Sequence, residues 1–235
     1  NWRTTYASID EIALPNPFDP ASTKPLSRWA DYIRWNQEYH AGWHKMLADA
    51  VHAAAPGLPV HAKIQSATLS NWADVKLGND PYLMGQVCDI NGNDSVNLYT
   101  HGEDLFAQTW TANGIGYDLQ RSTKDAPVFN SENHLIMDRE TRYIPCEHIY
   151  ASLWQQAIHG QSATTIWVWE RTSDRGSDFA GSIMHRPLCA RAVGIVNHDL
   201  NRAAREVTAL QQAPAQVLIL HDTSAMIRDG DAYGR

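Results

Sequence analysis

The sequence predicts an α/β protein whose βα units lay down a parallel sheet. Three observations carry this expectation. Apolar or β-branched runs at residues 59–65, 88–94, 127–132 and 163–169 recur about 30–40 residues apart, the length of a strand–helix–strand unit. Segments of helical periodicity lie between them. Prolines and glycines punctuate the joints. This spacing fits a (β/α)8 barrel or an open doubly wound sheet. No GxGxxG or GxxxxGK(S/T) motif occurs, so a phosphate-cradling turn is not expected.

Taken in order, residues 1–25 hold Pro15, Pro17, Pro20 and Pro25, a density that forbids a regular helix. Tyr32, Trp35, Tyr39, Trp43, Met46 and Ala50 then recur at helical steps, which predicts a helix over 26–54 with these residues as its buried stripe, ended by Pro56-Gly57. Residues 59–65 read as the first strand. Asp80-Pro81 reads as the N-cap and first turn of a short helix through Val87. Residues 88–94 (CDINGND) begin as a strand and end polar. Residues 103–112 are helical in pattern, with Gly114 as their stop. A third strand is expected over 127–132, a helix from Pro145 to about His159-Gly160, and a fourth strand over 163–169. Pro187 opens a long helix to about Leu210, and Val217–Leu220 reads as a fifth strand.

Composition bounds the function. The 235 residues carry 19 Lys+Arg against 26 Asp+Glu, a net charge of −7, which argues against nucleic acid or an anionic membrane as partner. No apolar run approaches the ~18–20 residues of a membrane span. Nothing in the chain fixes a compartment. The three cysteines, Cys88, Cys146 and Cys189, are too scattered for a disulfide framework or a paired zinc site. Asn1 stands where a Met would begin a protein, and the chain stops in a polar stretch after an apolar run, so a segment of a longer protein is expected.

In parallel α/β folds, ligands bind where strands end. A strand buried on both faces is expected to be apolar, yet here the strand ends are polar. The first gives Lys63 and Gln65. The second gives Asn91, Asn93 and Asp94. The third gives Asn130, Glu132, Asn133 and His134. The fourth gives Trp167, Trp169, Glu170 and Arg171. One polar end is an ordinary loop start; four in a row point to a shared site. Amides, carboxylates and indoles without a phosphate loop suit a sugar, because amides and carboxylates bond hydroxyls and indoles stack on pyranose faces. Nine tryptophans are compatible with that but also with an α/β core. Glycoside hydrolysis needs two carboxyl groups across the scissile bond, and Glu132, ending an apolar strand, suits a fixed nucleophile.

The segment PVFNSENHLI resembles the seventh strand of clan A glycoside hydrolases, where the nucleophilic Glu ends the strand. CDINGNDSVNLY is similar to the sixth strand of glycoside hydrolase family 42, the β-galactosidases, with Asp94 on the strand-end Asp. PVHAKIQS resembles the fifth strand, with Lys63 where Asn is usual, and ATTIWVWER the eighth, with Trp169 and Glu170 at its Trp-Arg position. NWRTTYASIDEI is similar to the segment after the fourth strand, and RPLCARAVGIVNHDLNR with QVLIL to the exit into a following domain. The resemblance implies the second half of a (β/α)8 barrel over residues 1–212, about strands five to eight. The start of a second domain would follow over 213–235. It implies a retaining glycosidase, β-galactosidase-like, with Glu132 as the catalytic nucleophile. Lys63, Asn93, Asp94, Asn133, His134, Trp167, Trp169 and Glu170 would be its substrate-binding residues. It places the acid/base Glu in an N-terminal half outside this chain, and this stretch alone is then expected to be inactive. The partners implied are a glycoside or oligosaccharide, that other half and other copies in a trimer. No cofactor and no metal is expected. The alternatives are a non-catalytic carbohydrate-binding or structural barrel, and another clan A specificity.

Rival local readings weigh less. Glu38, His40 and His44 have metal-ligand spacing on a helix but lack the HExxH order. Trp35-Asn36-Gln37-Glu38 superficially resembles an acid/base Asn-Glu pair but lies mid-helix. Cys146-Glu147-His148 are sequence neighbours on a helix and point apart. His185, His198 and Asp199 read as helix-surface groups. Glu170 reads as a second catalytic carboxylate or as an ion-pair partner of Arg171 or another loop arginine.

Overall fold

The computed structural model describes residues 5–14, 16, 26–65, 78–99, 110–137, 140–169 and 182–223. Four strands form one parallel sheet in chain order: β1 (His61–Gln65), β2 (Ile90–Asp94), β3 (Val128–His134) and β4 (Gln161–Trp167). The helices are α1 (Leu26–Ala54), α2 (Pro81–Val87), α3 (Trp110–Thr123), α4 (Cys146–Ile158), α5 (Pro187–Arg202) and α6 (Ala204–Gln211). Sequential neighbours in a parallel sheet, each joined by a helical crossover, are the wall of a barrel rather than the two-way winding of an open sheet. β1 and β4 are the edges of this wall. Among the described residues no helix is long and apolar enough to cross a membrane.

Local chemistry explains the elements. Asp80 caps α2 as expected, its Oδ1 accepting from the Tyr82 and Leu83 amides at 2.8 and 3.0 Å, with Pro81 in the first turn. In α5, Cys189, Ala192, Val193 and Val196 recur at helical spacing and are buried. They meet Leu135, Ile136, Ile149 and Leu153 from the β3 exit and α4, which makes the main apolar core. A second cluster, Ala41, Ile64, Met84 and Cys88, joins α1, β1 and α2.

Four sequence expectations are corrected. The helix over 26–54 forms, but its aromatic stripe is not the buried one. Trp35, Tyr39, Trp43 and Met46 are about half exposed, whereas Trp29, Ile33, Gln37, Ala41 and Ala48 face inward. Small and amide side chains let α1 lie close over α2 and the 78–80 segment, where Gln37 Nε2 and His40 Nδ1 reach the Asn79 and Gly78 carbonyls. The stop expected at Gly114 does not occur: α3, described from Trp110, runs through that glycine, while residues 103–109 of the helix expected over 103–112 lie outside the described residues. A Cβ on Gly114 would lie 3.1 Å from the His159 ring, so this glycine serves the close approach of α3 to the end of α4. The long C-terminal helix is interrupted at Ala203, separating α5 from α6. Val217–Leu220 forms no strand. These four residues are 80–87% exposed, and among the described residues no strand pairs with them.

Candidate active site

Side chains alternate along each strand, so the residues at the strand ends divide between the helix-facing and barrel-facing sides of the wall. In β1, Ile64 packs into the core with α1 and α2, which turns His61 and Lys63 to the other face. In β2, Asn91 and Asn93 face α3. Asn91 Nδ2 donates to the Gln120 carbonyl at 3.2 Å, and Asn93 Nδ2 to Gln120 Oε1 at 2.8 Å. Gly92 and Asp94 therefore face inward. A Cβ on Gly92 would fall 2.3 Å from the Ala62 carbonyl oxygen, so only glycine fits at that register.

The alternation changes in β3. Its pairing with β4 slips between Asn130 and Asn133. Such an irregularity re-aims side chains. Asn130 points toward α3, with Nδ2 donating to the Tyr117 hydroxyl at 2.9 Å. Asn133 points toward α4, in a two-way amide pair with Gln156 at 2.7 and 3.0 Å. Glu132 and His134 are left facing inward. Asn130 Oδ1 accepts from the Glu132 amide at 3.2 Å and thereby fixes the irregular backbone just before the carboxylate.

Four inward groups converge at the C-terminal ends of β1, β2 and β3. The Lys63 ammonium bonds Glu132 Oε2 and lies 3.6 Å from Asp94 Oδ2. His134 Nε2 lies 3.1 Å from Glu132 Oε1 and 3.8 Å from Asp94 Oδ1. Each carboxylate oxygen of Glu132 thus has its own nitrogen partner from a different strand position. The Trp167 ring stands beside His134, with centroids 5.9 Å apart.

The carboxyls are driven apart electrostatically. Partial burial pushes Glu132 up, but hydrogen bonds from Lys63 and His134, with their charges, outweigh it and hold the carboxyl below its ordinary value. Asp94 moves up, first through burial and then through the Glu132 charge, against the pull of Lys63 and His134. Burial disfavours the Lys63 ammonium, yet its two carboxylate neighbours hold it above its ordinary value. This makes Glu132 the fixed anion of the cluster and Asp94 the more easily protonated group.

Asp94, Glu132 and His134 offer ligand atoms within 4.8 Å of one another, the spacing of a three-ligand metal site. The Lys63 ammonium, however, bridges the two carboxylates where a cation would sit. A divalent ion would have to displace it.

Of the residues expected at the site, Glu132, Lys63, Asp94, His134 and Trp167 are brought together. Asn93 and Asn133 are not. Both are buried and bonded to α3 and α4, where they tie helices to strands. Trp169 is 43% exposed and lines a hollow of about 690 Å³ at the free edge of β4, with Val193, Leu200 and Gln211, apart from the Glu132 cluster. Glu170 and Arg171 lie outside the described residues. Asn130 was among the polar strand ends, but its role as anchor of the Glu132 amide lay unread. Its signal was the position two residues before the carboxylate. The rival clusters dissolve. Glu38 accepts from Arg34 at 2.6 Å, His40 and His44 turn to backbone carbonyls, and buried His148 bonds the Leu135 carbonyl at 3.0 Å rather than Cys146. His198 pairs with Asp199 on the surface of α5.

The wall and the comparisons show one fold, part of a (β/α)8 barrel. Within it the likeness is to glycoside hydrolase family 42. The chain is similar to an exo-carrageenase of that family from Bacteroides ovatus, with a TM-score of 0.83 at 23% identity over 99% of this chain and 34% of that one. It is also similar to a β-galactosidase from Rahnella sp. R3, with a TM-score of 0.69 at 18% identity over 96% of this chain and 33% of that one. In sequence it is 22% identical to beta-galactosidase Pbg of Clostridium perfringens, over 99% of this chain and 32% of that protein. The chain spans about a third of the length of these relatives. No family model matches it.

Proposed function

We propose that this chain is the second half of the catalytic barrel of a retaining β-glycosidase, β-galactosidase-like, with Glu132 as nucleophile. The observation that carries the reading is the slip in β3. It aims Glu132 inward at a strand end, and Lys63 and His134 keep it ionised there. In the first step a Glu132 oxygen would bond the anomeric carbon as the glycosidic C–O bond breaks and a second carboxyl protonates the leaving oxygen. In the second, that carboxylate takes a proton from water, whose oxygen displaces Glu132. The second carboxyl belongs about 5–5.5 Å from the first, and we assign it to a part of the protein outside this chain.

The partners that follow are a glycoside substrate and the remaining barrel strands beside β1 and β4. Assembly of copies into a trimer belongs to the same reading, as does the start of a second domain at residues 213–235. An exo-acting carrageenan-degrading enzyme is a second reading. The closer fold match to such an enzyme favours it, at a TM-score of 0.83 against 0.69 for the β-galactosidase.

The test is Glu132→Gln in the intact protein. It keeps shape and hydrogen bonding and removes the nucleophile. The expected result is a loss of kcat of at least ~10³-fold, with partial recovery by azide in Glu132→Gly. Near-normal turnover of every aryl glycoside that the wild type hydrolyses would overturn the assignment.

A further inference from the structure

We propose that Lys63 is the recognition group for an anionic substituent on the sugar, and that binding of this substituent draws the ammonium away from Glu132. The inference rests on Glu132 being the nucleophile and adds the substrate class. It starts from an electrostatic conflict in the cluster. As Glu132 attacks, its own negative charge is consumed and positive charge grows on the anomeric carbon. An ammonium bonded to Glu132 stabilises the carboxylate before attack and repels the charge that develops afterwards, the reverse of what lowers a barrel glycosidase's barrier. A neutral sugar brings nothing strong enough to take the ammonium away. A sulfate ester or a carboxylate does, because a charge-assisted hydrogen bond replaces the one given up.

The geometry suits this exchange. Lys63 is the most exposed of the four side chains, at 38%, against 22% for Glu132, 17% for His134 and 14% for Asp94. Its flexible stem and three rotatable donors let the ammonium move without disturbing the strand. Glu132 does not need it for position. His134 Nε2 holds one carboxylate oxygen at 3.1 Å, and Asn130 Oδ1 holds the Glu132 amide at 3.2 Å. Asp94, 3.6 Å from the ammonium, keeps the lysine charged and nearby after it leaves Glu132.

The experiment compares kcat/KM of the intact protein on an aryl β-galactoside, its sulfate ester and the aryl β-galacturonide. The wild type is expected to favour one anionic arm over the neutral sugar by at least ~30-fold, about 2 kcal/mol of transition-state discrimination. The arm that wins says whether the substituent is sulfate or carboxylate. Lys63→Met is expected to collapse that ratio by a similar factor, Lys63→Arg to retain most of it, and salt to erode it. Equal treatment of all three sugars by the wild type would overturn the proposal, as would an unchanged ratio in Lys63→Met. If Glu132→Gln turns over all three normally, it is the nucleophile assignment that fails instead. Calorimetric titration of Glu132→Gln with galactose sulfate, galacturonate and galactose gives a readout independent of turnover. An anionic preference lost on adding Lys63→Met supports the proposal, and equal binding of all three ligands refutes it.

Discussion

Glu132 points into the barrel because β3 changes register between Asn130 and Asn133, and it stays ionised because Lys63 and His134 each bond one of its oxygens. Take Lys63 away and burial remains to raise the carboxyl, against His134 alone. On the proposed mechanism, the acidic limb of the kcat/KM profile follows ionisation of Glu132 in the free intact protein. In Lys63→Met that limb is therefore expected to move to higher pH. In Asp94→Asn it is expected to stay near its wild-type position, because Asp94 is the group held up and is already protonated where Glu132 titrates. Initial-rate profiles of both variants check this contrast, and an acidic limb that Lys63→Met leaves in place would contradict the electrostatic account. At this scale the sequence reveals the chemistry but not the aim of each side chain. Asn93 and Asp94 are adjacent, and strict alternation already forbids both from facing inward. The position of Asn133 was beyond such reasoning, since the slip in β3 leaves no mark in the sequence that a propensity argument reads.

Elements were legible where caps and strand composition agree. Asp80-Pro81 marks the start of α2 to the residue, and the four strands fall within the runs that predict them or one or two residues beyond. Replacing Asp80 with Ala leaves the Tyr82 and Leu83 amides without their acceptor, a change expected to cost about 1 kcal/mol in urea unfolding of the intact protein. The failures share a cause: packing overrode a local signal. An aromatic stripe reads as core, yet α1 buries the neighbouring face of Trp29, Ile33, Gln37, Ala41 and Ala48. A glycine reads as a stop, yet Gly114 gives room to His159. That histidine also ties the two helices together, its Nδ1 lying 3.0 Å from Asp118 Oδ2. The hydrogen bond to Asp118 raises the His159 pKa against the opposing effect of burial. A raised histidine contributes stability fully below its unfolded value near 6.5 and loses it as pH rises through the folded value. Asp118→Asn is thus expected to lower the melting temperature more at pH 6 than at pH 8.5. The effect stays below about 1 kcal/mol because both groups are partly exposed. An equal shift at both pH values would remove the ion pair as its cause.

At the scale of the molecule, the sheet formed by the described residues has two unpaired edges, and α1 carries an apolar patch. β4 presents Ser162, Ala163 and Thr165 to solvent at its free edge, beside the hollow floored by α5 and α6. β1 is the other edge, and above it α1 exposes Trp35, Tyr39, Trp43, Met46 and Leu47, each about half accessible. Unpaired parallel edges recruit other strands, and an apolar patch of this kind drives association. A closed eight-stranded barrel removes both liabilities, since each edge then has a neighbour. The described residues form four strands of such a wall, so the 235 residues expressed alone are expected to associate, or to melt without a cooperative transition. Adding the remaining barrel strands, in the same chain or as a second polypeptide, should restore a single sharp transition and a defined assembly. Sedimentation velocity with differential scanning calorimetry distinguishes the cases. A monomer of the isolated chain that unfolds cooperatively would mean that α1 and the β4 edge tolerate water as they stand, and the half-barrel reading of these surfaces would fall.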